Sequence, residues 1–240
     1  MEENKKQQAI NTPTAIIVAG VLVMVAIFMT RGGGSSATQK DKPLSEQVGV
    51  NKKAFDSCLQ DSLKDANLQA LKSKTDQSAN LAMSALPADQ RGTPYSVIIG
   101  KNGAKTDIQG ALPYETVKKL VDEVSANKVT NPYKGQVPAV TADDHIVGNP
   151  DAPVVIIEYA DLECPYCKRF EPVVKQIVDE SNGQVAWVYR HWIIHPGALP
   201  KTAAAECVAK LKGNDAFFKY VTLTFDEIQT NDPTTSTNNL

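Results

Sequence analysis

The chain has 240 residues and a formal net charge of −2 at pH 7, and 42% of its residues are hydrophobic. This length suffices for one large domain or two small ones, each with a buried core. The nearly balanced charge gives no electrostatic reason to expect a nucleic acid as a partner. Composition therefore indicates a globular protein, with one strongly apolar block near the N-terminus.

That block, residues 15–29, is an almost unbroken apolar run. Extended to residues 13–30, it is about long enough to cross a bilayer once. Two lysines before it weakly favour a cytoplasmic N-terminus, which would be residues 1–12. A cleaved signal peptide fits the same pattern, although residues 29–31 make a poor cleavage site. We therefore expect a single-pass anchor in the cell membrane, with the remaining domain outside the cytoplasm.

A soluble part follows the run. Residues 31–45 are rich in glycine and serine and are predicted to be a flexible linker. Apolar spacing predicts a helix over residues 45–63, whereas residues 64–91 fit either a helix or a loop. Residues 95–99 form a strand pattern, and an Asn-Gly pair after it predicts a hairpin whose second strand is 104–109.

The rest of the chain alternates helix and strand patterns. We expect a helix over residues 112–127, a linker over residues 127–142 and an approach segment, 145–153, before a β-branched strand at 154–157. Further elements are predicted as a strand at 185–190, helices at 200–211 and 216–225, and a frayed tail at 229–240.

The candidate catalytic motif is Cys164-Pro165-Tyr166-Cys167. It lies between the strand at 154–157 and an amphipathic segment at 168–180. A thiol at a helix N-terminus meets unpaired backbone N–H groups and the positive end of the helix dipole, both of which stabilise a thiolate. Its pKa then falls from about 8.5 into the range of roughly 3.5 to 7.5. Cys164 is the expected nucleophile and Cys167 the resolving thiol.

Two further cysteines, Cys58 and Cys207, complete the set of four. Four cysteines allow three pairings, and sequence does not choose among them. In a compartment that keeps thiols reduced, the two would be ordinary core residues. Outside the cytoplasm they become candidates for a structural bridge.

The Cys-x-x-Cys motif after a strand resembles the thioredoxin fold, and the wider pattern is similar to the DsbA-type thiol–disulfide oxidoreductases of the bacterial envelope. The resemblance extends over most of residues 46–228. The segments that carry it are residues 92–94, 108–124, 148–153, 158–159, 164–167, 189–191, 195–196, 203–207 and 217–225.

This resemblance implies roles for particular residues. Thr93-Pro94 matches the cis-proline loop that faces the reactive disulfide in the family. Glu158 matches an acidic residue beneath the active site that could take the proton of Cys167. The contexts of Cys58 and Cys207 are similar to those of a second, structural disulfide present in some members.

The order of the two halves departs from the family. The half with the proline loop, residues 46–126, precedes the half with the Cys-x-x-Cys motif, residues 143–228, and the linker at 127–142 joins them. Either one chain completes a single, permuted sheet, or the halves are fragments of two separate domains. Neither half alone has enough strands for a stable sheet, which favours the single sheet.

The resulting prediction is an α/β, thioredoxin-like fold with a helical insertion, carried behind a membrane anchor. Its expected function is dithiol–disulfide exchange with thiols of exported proteins, aided by a membrane redox partner, without metal or other cofactor. Two alternatives remain. A zinc module would need a second ligand pair beyond Cys-x-x-Cys, and a binding module of this fold would not use its cysteines. Reductase or isomerase activity would use the same residues.

Overall fold

The computed structural model describes residues 42–228. The predicted cytoplasmic segment at 1–12, the anchor at 13–30, most of the linker at 31–45 and the tail at 229–240 lie outside the described residues. Within residues 42–228, no helix combines the length and the apolar character that a membrane crossing requires.

Three helices open the described chain: α1 at Leu44–Gln47, α2 at Lys52–Ser62 and α3 at Asp65–Ala82. The prediction of one helix over residues 45–63 was wrong. Gly49 has a φ of +79°, a left-handed conformation that ends α1 and is accessible to glycine. Asn51 then caps α2, since its side chain accepts a hydrogen bond from the Ala54 N–H at 3.2 Å.

Residues 64–91, for which the sequence fitted either a helix or a loop, are mostly α3. A short 3₁₀ turn follows at Ala88–Gln90. Ala79, Ala82 and Met83 are fully buried at the end of α3. They pack on one face of the sheet against Val97 and Ile157. The small side chains of Ala79 and Ala82 therefore allow α3 to pack closely against the sheet.

The hairpin follows as β1 at Tyr95–Gly100 and β2 at Lys105–Gln109, which pair antiparallel. Helix α4 spans Tyr114–Ser125. Its buried residues Val117, Val121 and Val124 recur every three or four positions and pack into the larger core on the other face of the sheet.

The second half contains three strands and three helices. The approach segment at 145–153 was predicted without a strand, but its first four residues form β3, His145–Gly148, at one edge of the sheet. The remaining elements are β4 at Val154–Ala160, α5 at Pro165–Glu180, β5 at Val185–His191, α6 at Ala198–Lys212 and α7 at Asn214–Asp226.

One five-stranded sheet contains strands from both halves of the chain, in the order β2-β1-β4-β5-β3. Strands β4 and β5 run parallel, and the other pairs are antiparallel. Within the sheet, the halves meet at the β1–β4 pair, which extends from Tyr95 opposite Tyr159 to Gly100 opposite Val154. This is the first of the two arrangements considered above, in which a single chain completes the sheet.

A disulfide adds a covalent link between the halves. It joins Cys58 of α2 to Cys207 of α6 across a sequence separation of 149 residues. Cys207 is buried, and Cys58 packs at the edge of the larger core. The bridge lies in the helical layer, whereas the β1–β4 pairing holds the halves together within the sheet.

Candidate active site

The Cys-x-x-Cys motif lies where the central strand gives way to a helix. Strand β4 ends at Ala160, a short loop follows, and Cys164 occupies the N-cap position of α5. Pro165 is the first residue of the helix, where its missing N–H leaves no bond unmade. Cys164 and Cys167 are both free thiols.

The proline loop of the first half faces Cys164. The peptide bond between Thr93 and Pro94 is cis. The Cys164 thiol donates a hydrogen bond to the Thr93 carbonyl, with a sulfur–oxygen distance of 3.3 Å. Residues 71 positions apart in sequence are thus in direct contact at the site.

The Cys164 thiol is unusually acidic for a largely buried group. A hydrogen bond from the Cys167 side chain lowers the pKa of Cys164 to about 6, and the backbone N–H groups of Tyr166 and Cys167 act in the same direction. These N–H groups belong to the first turn of α5, where no helical carbonyl is available to accept from them. At neutral pH most of Cys164 is thiolate, the nucleophilic form.

Cys167 differs from Cys164 in its acidity and in its position along the helix. It is fully buried, one turn into α5. Burial raises its pKa well above the ordinary value, and the neighbouring Cys164 and Glu158 act in the same direction. Its sulfur accepts the backbone N–H of Asp161 at 3.5 Å. Cys167 is therefore a protonated thiol at neutral pH, in contrast to Cys164.

Glu158 is a buried carboxyl on β4, with 1% of its surface exposed. Burial raises its pKa to about 8, and the nearby Glu171 carboxyl adds to the rise. The charge of Glu158 also raises the pKa of Cys167, so the two groups are close enough to influence each other's protonation. The site thus places a poorly ionised acid beside a poorly ionised thiol.

Two further acidic residues belong to the site although the sequence did not single them out. Glu171 is buried on α5, one turn beyond Cys167, and burial raises its pKa. The Thr222 hydroxyl of α7 donates a hydrogen bond to it. The i, i+4 spacing from Cys167 was the signal for Glu171, because it places both residues on the same face of the helix.

Asp161 is the second of these residues, and its carboxylate organises the loop before Cys164. It accepts the backbone N–H groups of Glu163 at 2.7 Å, Ile194 at 2.7 Å and His195 at 2.9 Å. The His195 ring nitrogen Nδ1 lies 3.1 Å from the same carboxylate. One buried side chain thereby connects the active-site loop to the loop after β5. A loop aspartate offers no sequence signal for such contacts.

His191 and the two tryptophans lie in the core around the site. His191 is buried against Tyr189 and Phe217, and burial lowers its pKa to about 4. Trp187 and Trp192 are both buried. Across residues 42–228, no group of three His, Cys, Asp or Glu side chains is placed to hold a metal ion.

A thioredoxin family model matches residues 140–239 of the chain. This segment includes β4, the Cys-x-x-Cys helix and β5. The match, with the single sheet and the helix-terminal cysteine pair, confirms the predicted thioredoxin-like fold.

Individual relatives match only in part. The chain is 40% identical over 77 residues to a Na(+)/H(+) antiporter NhaA 3 of Salinispora tropica and 35% identical over 69 residues to an NhaA 1 of Mycolicibacterium gilvum. These alignments cover 31% and 28% of this chain, but only 12% and 11% of the antiporters.

Among solved structures, the alpha-DsbA1 of Wolbachia pipientis aligns with 26% identity and a TM-score of 0.33, over 37% of this chain and 45% of that one. A variant of the same protein aligns over 39% of this chain and 48% of that one, with 26% identity and a TM-score of 0.31.

Proposed function

Since the chain carries a DsbA-like thiol–disulfide oxidoreductase fold, we propose that it forms or exchanges disulfides in exported proteins through Cys164 and Cys167. The observation that carries this proposal is the difference between the two thiols. Cys164 has a pKa of about 6 and contacts the proline loop, whereas Cys167 is buried and protonated. A nucleophile and a resolving thiol require this division.

In the oxidising direction, a substrate thiolate attacks Cys164 of the Cys164–Cys167 disulfide. A mixed disulfide forms, and Cys167 leaves as a thiolate that takes a proton from the Glu158 carboxyl. A second substrate thiolate then attacks the substrate sulfur of the mixed disulfide. The substrate leaves with a new disulfide, Cys164 leaves as a thiolate, and two electrons have passed to the protein.

The reverse direction uses the same residues. Glu158 takes the proton of Cys167, whose thiolate attacks Cys164 of the mixed disulfide and expels the substrate thiolate. The low pKa of Cys164 makes it a good leaving group, which favours transfer of the disulfide to the substrate. We therefore propose oxidation of substrates as the main direction, with reduction or isomerisation as the alternative.

The proposed location is the outer side of the cell membrane, with residues 13–30 as a single-pass anchor. Two features support it: the apolar run in the sequence and the Cys58–Cys207 disulfide, a type of bond that persists in oxidising compartments. A membrane redox partner would reoxidise the Cys164–Cys167 pair. Protease treatment of intact cells tests this location, because a domain protected in intact cells and digested only after lysis would contradict it.

The catalytic proposal is tested with Cys164→Ser. This variant should lose both insulin reduction and peptide oxidation, because serine cannot form the mixed disulfide. The matched control is the Cys58→Ala/Cys207→Ala double variant, which removes two cysteines away from Cys164 and should keep its activity. Full activity in Cys164→Ser would exclude Cys164 as nucleophile, and inactive wild-type protein would favour a binding module instead.

A further inference from the structure

Glu158 and its neighbours on the two adjacent strands have buried polar atoms without hydrogen-bond partners in the described part of the chain. Glu158 lies on β4 directly opposite Ser96 of β1 and directly beside Tyr189 of β5. All three side chains belong to residues with at most 1% of their surface exposed. Ser96 Oγ, Glu158 Oε2 and the Tyr189 hydroxyl are each buried without a hydrogen-bond partner among the described residues.

Such a set is costly in an ordinary core. Each buried polar group without a partner costs about 1–3 kcal/mol of folding free energy, and folded proteins contain few of them. A phenylalanine in place of Tyr189 would fit the surrounding aromatic rings of Trp187 and Phe217 without that cost. An unpartnered Tyr189 hydroxyl does not stabilise the resting fold, and a role in the reaction would account for its presence.

The surroundings of the Tyr189 hydroxyl indicate that role. Burial raises the pKa of Tyr189 well above its ordinary value, so the hydroxyl keeps its proton and remains a hydrogen-bond donor. Among nearby charges, that of Cys167 has the largest effect on the tyrosine, followed by that of Glu158. The hydroxyl therefore lies close enough to Cys167 and Glu158, the two groups that exchange a proton in the proposed reaction, for their charges to act on it.

We propose that Tyr189 is a positioning residue whose hydroxyl donates a hydrogen bond to the negative charge shared by Glu158 and Cys167. The inference rests on the proposed thiol–disulfide exchange and adds to it a residue of β5. As Cys167 gives its proton to Glu158, the negative charge moves from the carboxylate to the sulfur. A donor beside both stabilises this charge in a site that offers little water.

The test measures the second step of oxidation by glutathione disulfide. Cys164 of the reduced full-length protein attacks this reagent and releases one glutathione, and Cys167 then attacks the mixed disulfide and releases the second. Rapid acid quenching followed by mass spectrometry separates the two steps. In wild-type protein the rate of the second step should rise with pH as the Glu158–Cys167 pair loses its proton.

Tyr189→Phe should raise the pH midpoint of the second step by about one unit, because a hydrogen bond to a charged group is lost. The first step should be unchanged, since it depends on Cys164. Folding stability should be equal or slightly higher, because an unpartnered hydroxyl is removed. A folded variant with an unchanged midpoint would overturn the inference, while absence of a mixed disulfide in wild-type protein would overturn the proposed function itself.

Two control variants sharpen the comparison. Tyr159→Phe removes an equally buried hydroxyl on the opposite face of the sheet, where it contacts Ser78 and Arg190, and should leave the midpoint unchanged. Trp187→Phe removes the indole N–H, another side-chain donor near Glu158. A shift in Trp187→Phe but not in Tyr189→Phe would assign the role to Trp187 and refute the assignment to Tyr189.

The ionisable side chains that face this set also bear on the pH profile. They are Glu158, Asp161, Cys164, Cys167, Glu171 and His191. If Tyr189→Phe does not fold, the test uses protein in which ring-fluorinated tyrosine replaces tyrosine, because the hydroxyl of the fluorinated ring is a stronger donor. The replacement is made in the Tyr166→Phe variant, so that the tyrosine between the two cysteines is not fluorinated. The midpoint should then fall, and an unchanged midpoint would contradict the inference.

Discussion

The two sulfur atoms of the Cys-x-x-Cys pair differ because one turn of helix separates them. Cys164 lies at the helix terminus, where backbone N–H groups point at its sulfur. Cys167 lies inside the core, where burial opposes its ionisation. The largest single cause of the low pKa of Cys164 is the Cys167 thiol itself. Each thiol thus sets the reactivity of the other.

Cys167→Ala tests this dependence. The hydrogen bond that lowers the pKa of Cys164 is lost, so the pKa should rise from about 6 towards that of an ordinary thiol. The pH dependence of alkylation of Cys164 by iodoacetamide measures the change. Glu158→Gln serves as a comparison that keeps Cys167. A midpoint that stays at about 6 in Cys167→Ala would show that the helix terminus alone is responsible.

Glu158→Gln should also change how stability depends on pH. Burial raises the pKa of Glu158 from 4.5 to about 8, so folding favours the protonated acid. The protonated Glu158 therefore makes its full contribution to folding stability below pH 4.5. This contribution is lost as pH rises towards 8, at about 1.4 kcal/mol per pH unit. The free energy of unfolding of Glu158→Gln should therefore increase relative to that of the wild-type protein as pH rises. Urea unfolding at several pH values measures this difference. A constant difference across this range would contradict a raised pKa.

At the scale of elements, the Cys58–Cys207 disulfide fixes α2 against α6. Removing both cysteines by substitution with alanine frees a loop of 149 residues in the unfolded chain. We expect a loss of about 3–5 kcal/mol in unfolding free energy by loop-closure reasoning. Urea denaturation measures it, with Ser62→Ala as a control that alters only a neighbour of Cys207. A loss no larger than that of the control would contradict the prediction.

The elements that sequence could predict are those whose local pattern is strong. The strand before Cys164 and the helix after it follow from β-branched and amphipathic patterns, and the hairpin follows from Asn102-Gly103. Strand β3 was missed because its four residues are only partly covered at the sheet edge and carry no alternating pattern. The break at Gly49 was missed because the apolar spacing continues across it.

The candidate site shows the same division. Cys164 and Cys167 were recognisable from their spacing and from the strand before them. Tyr189 and Ser96 read as ordinary strand residues, because sequence gives the alternation along a strand but not which strands are neighbours. Their position beside Glu158 depends on the order of the strands, which brings residues 96, 158 and 189 side by side.

At the scale of the whole molecule, the two halves are held together by β1–β4 pairing, by helix packing in the larger core and by the disulfide. A protease site inserted within residues 140–143, all of them exposed, should therefore yield a cut protein that remains active. The two pieces should run as one species on a denaturing gel without reductant and as two with it. Size-exclusion chromatography after reduction tests the non-covalent contacts alone, and pieces that separate there would show that the disulfide is essential.

The position of β1 has a consequence for synthesis. One edge of β1 pairs with β2, which follows it in the chain after a few residues. The other edge pairs with β4, which ends at Ala160, about 60 residues after Gly100. At roughly 5–20 residues per second, translation takes on the order of 3–12 s to supply that partner. During this interval the nascent hairpin presents an open strand edge of the kind that chaperones cover. Slower translation between codons 100 and 160 should therefore lower the yield of soluble protein.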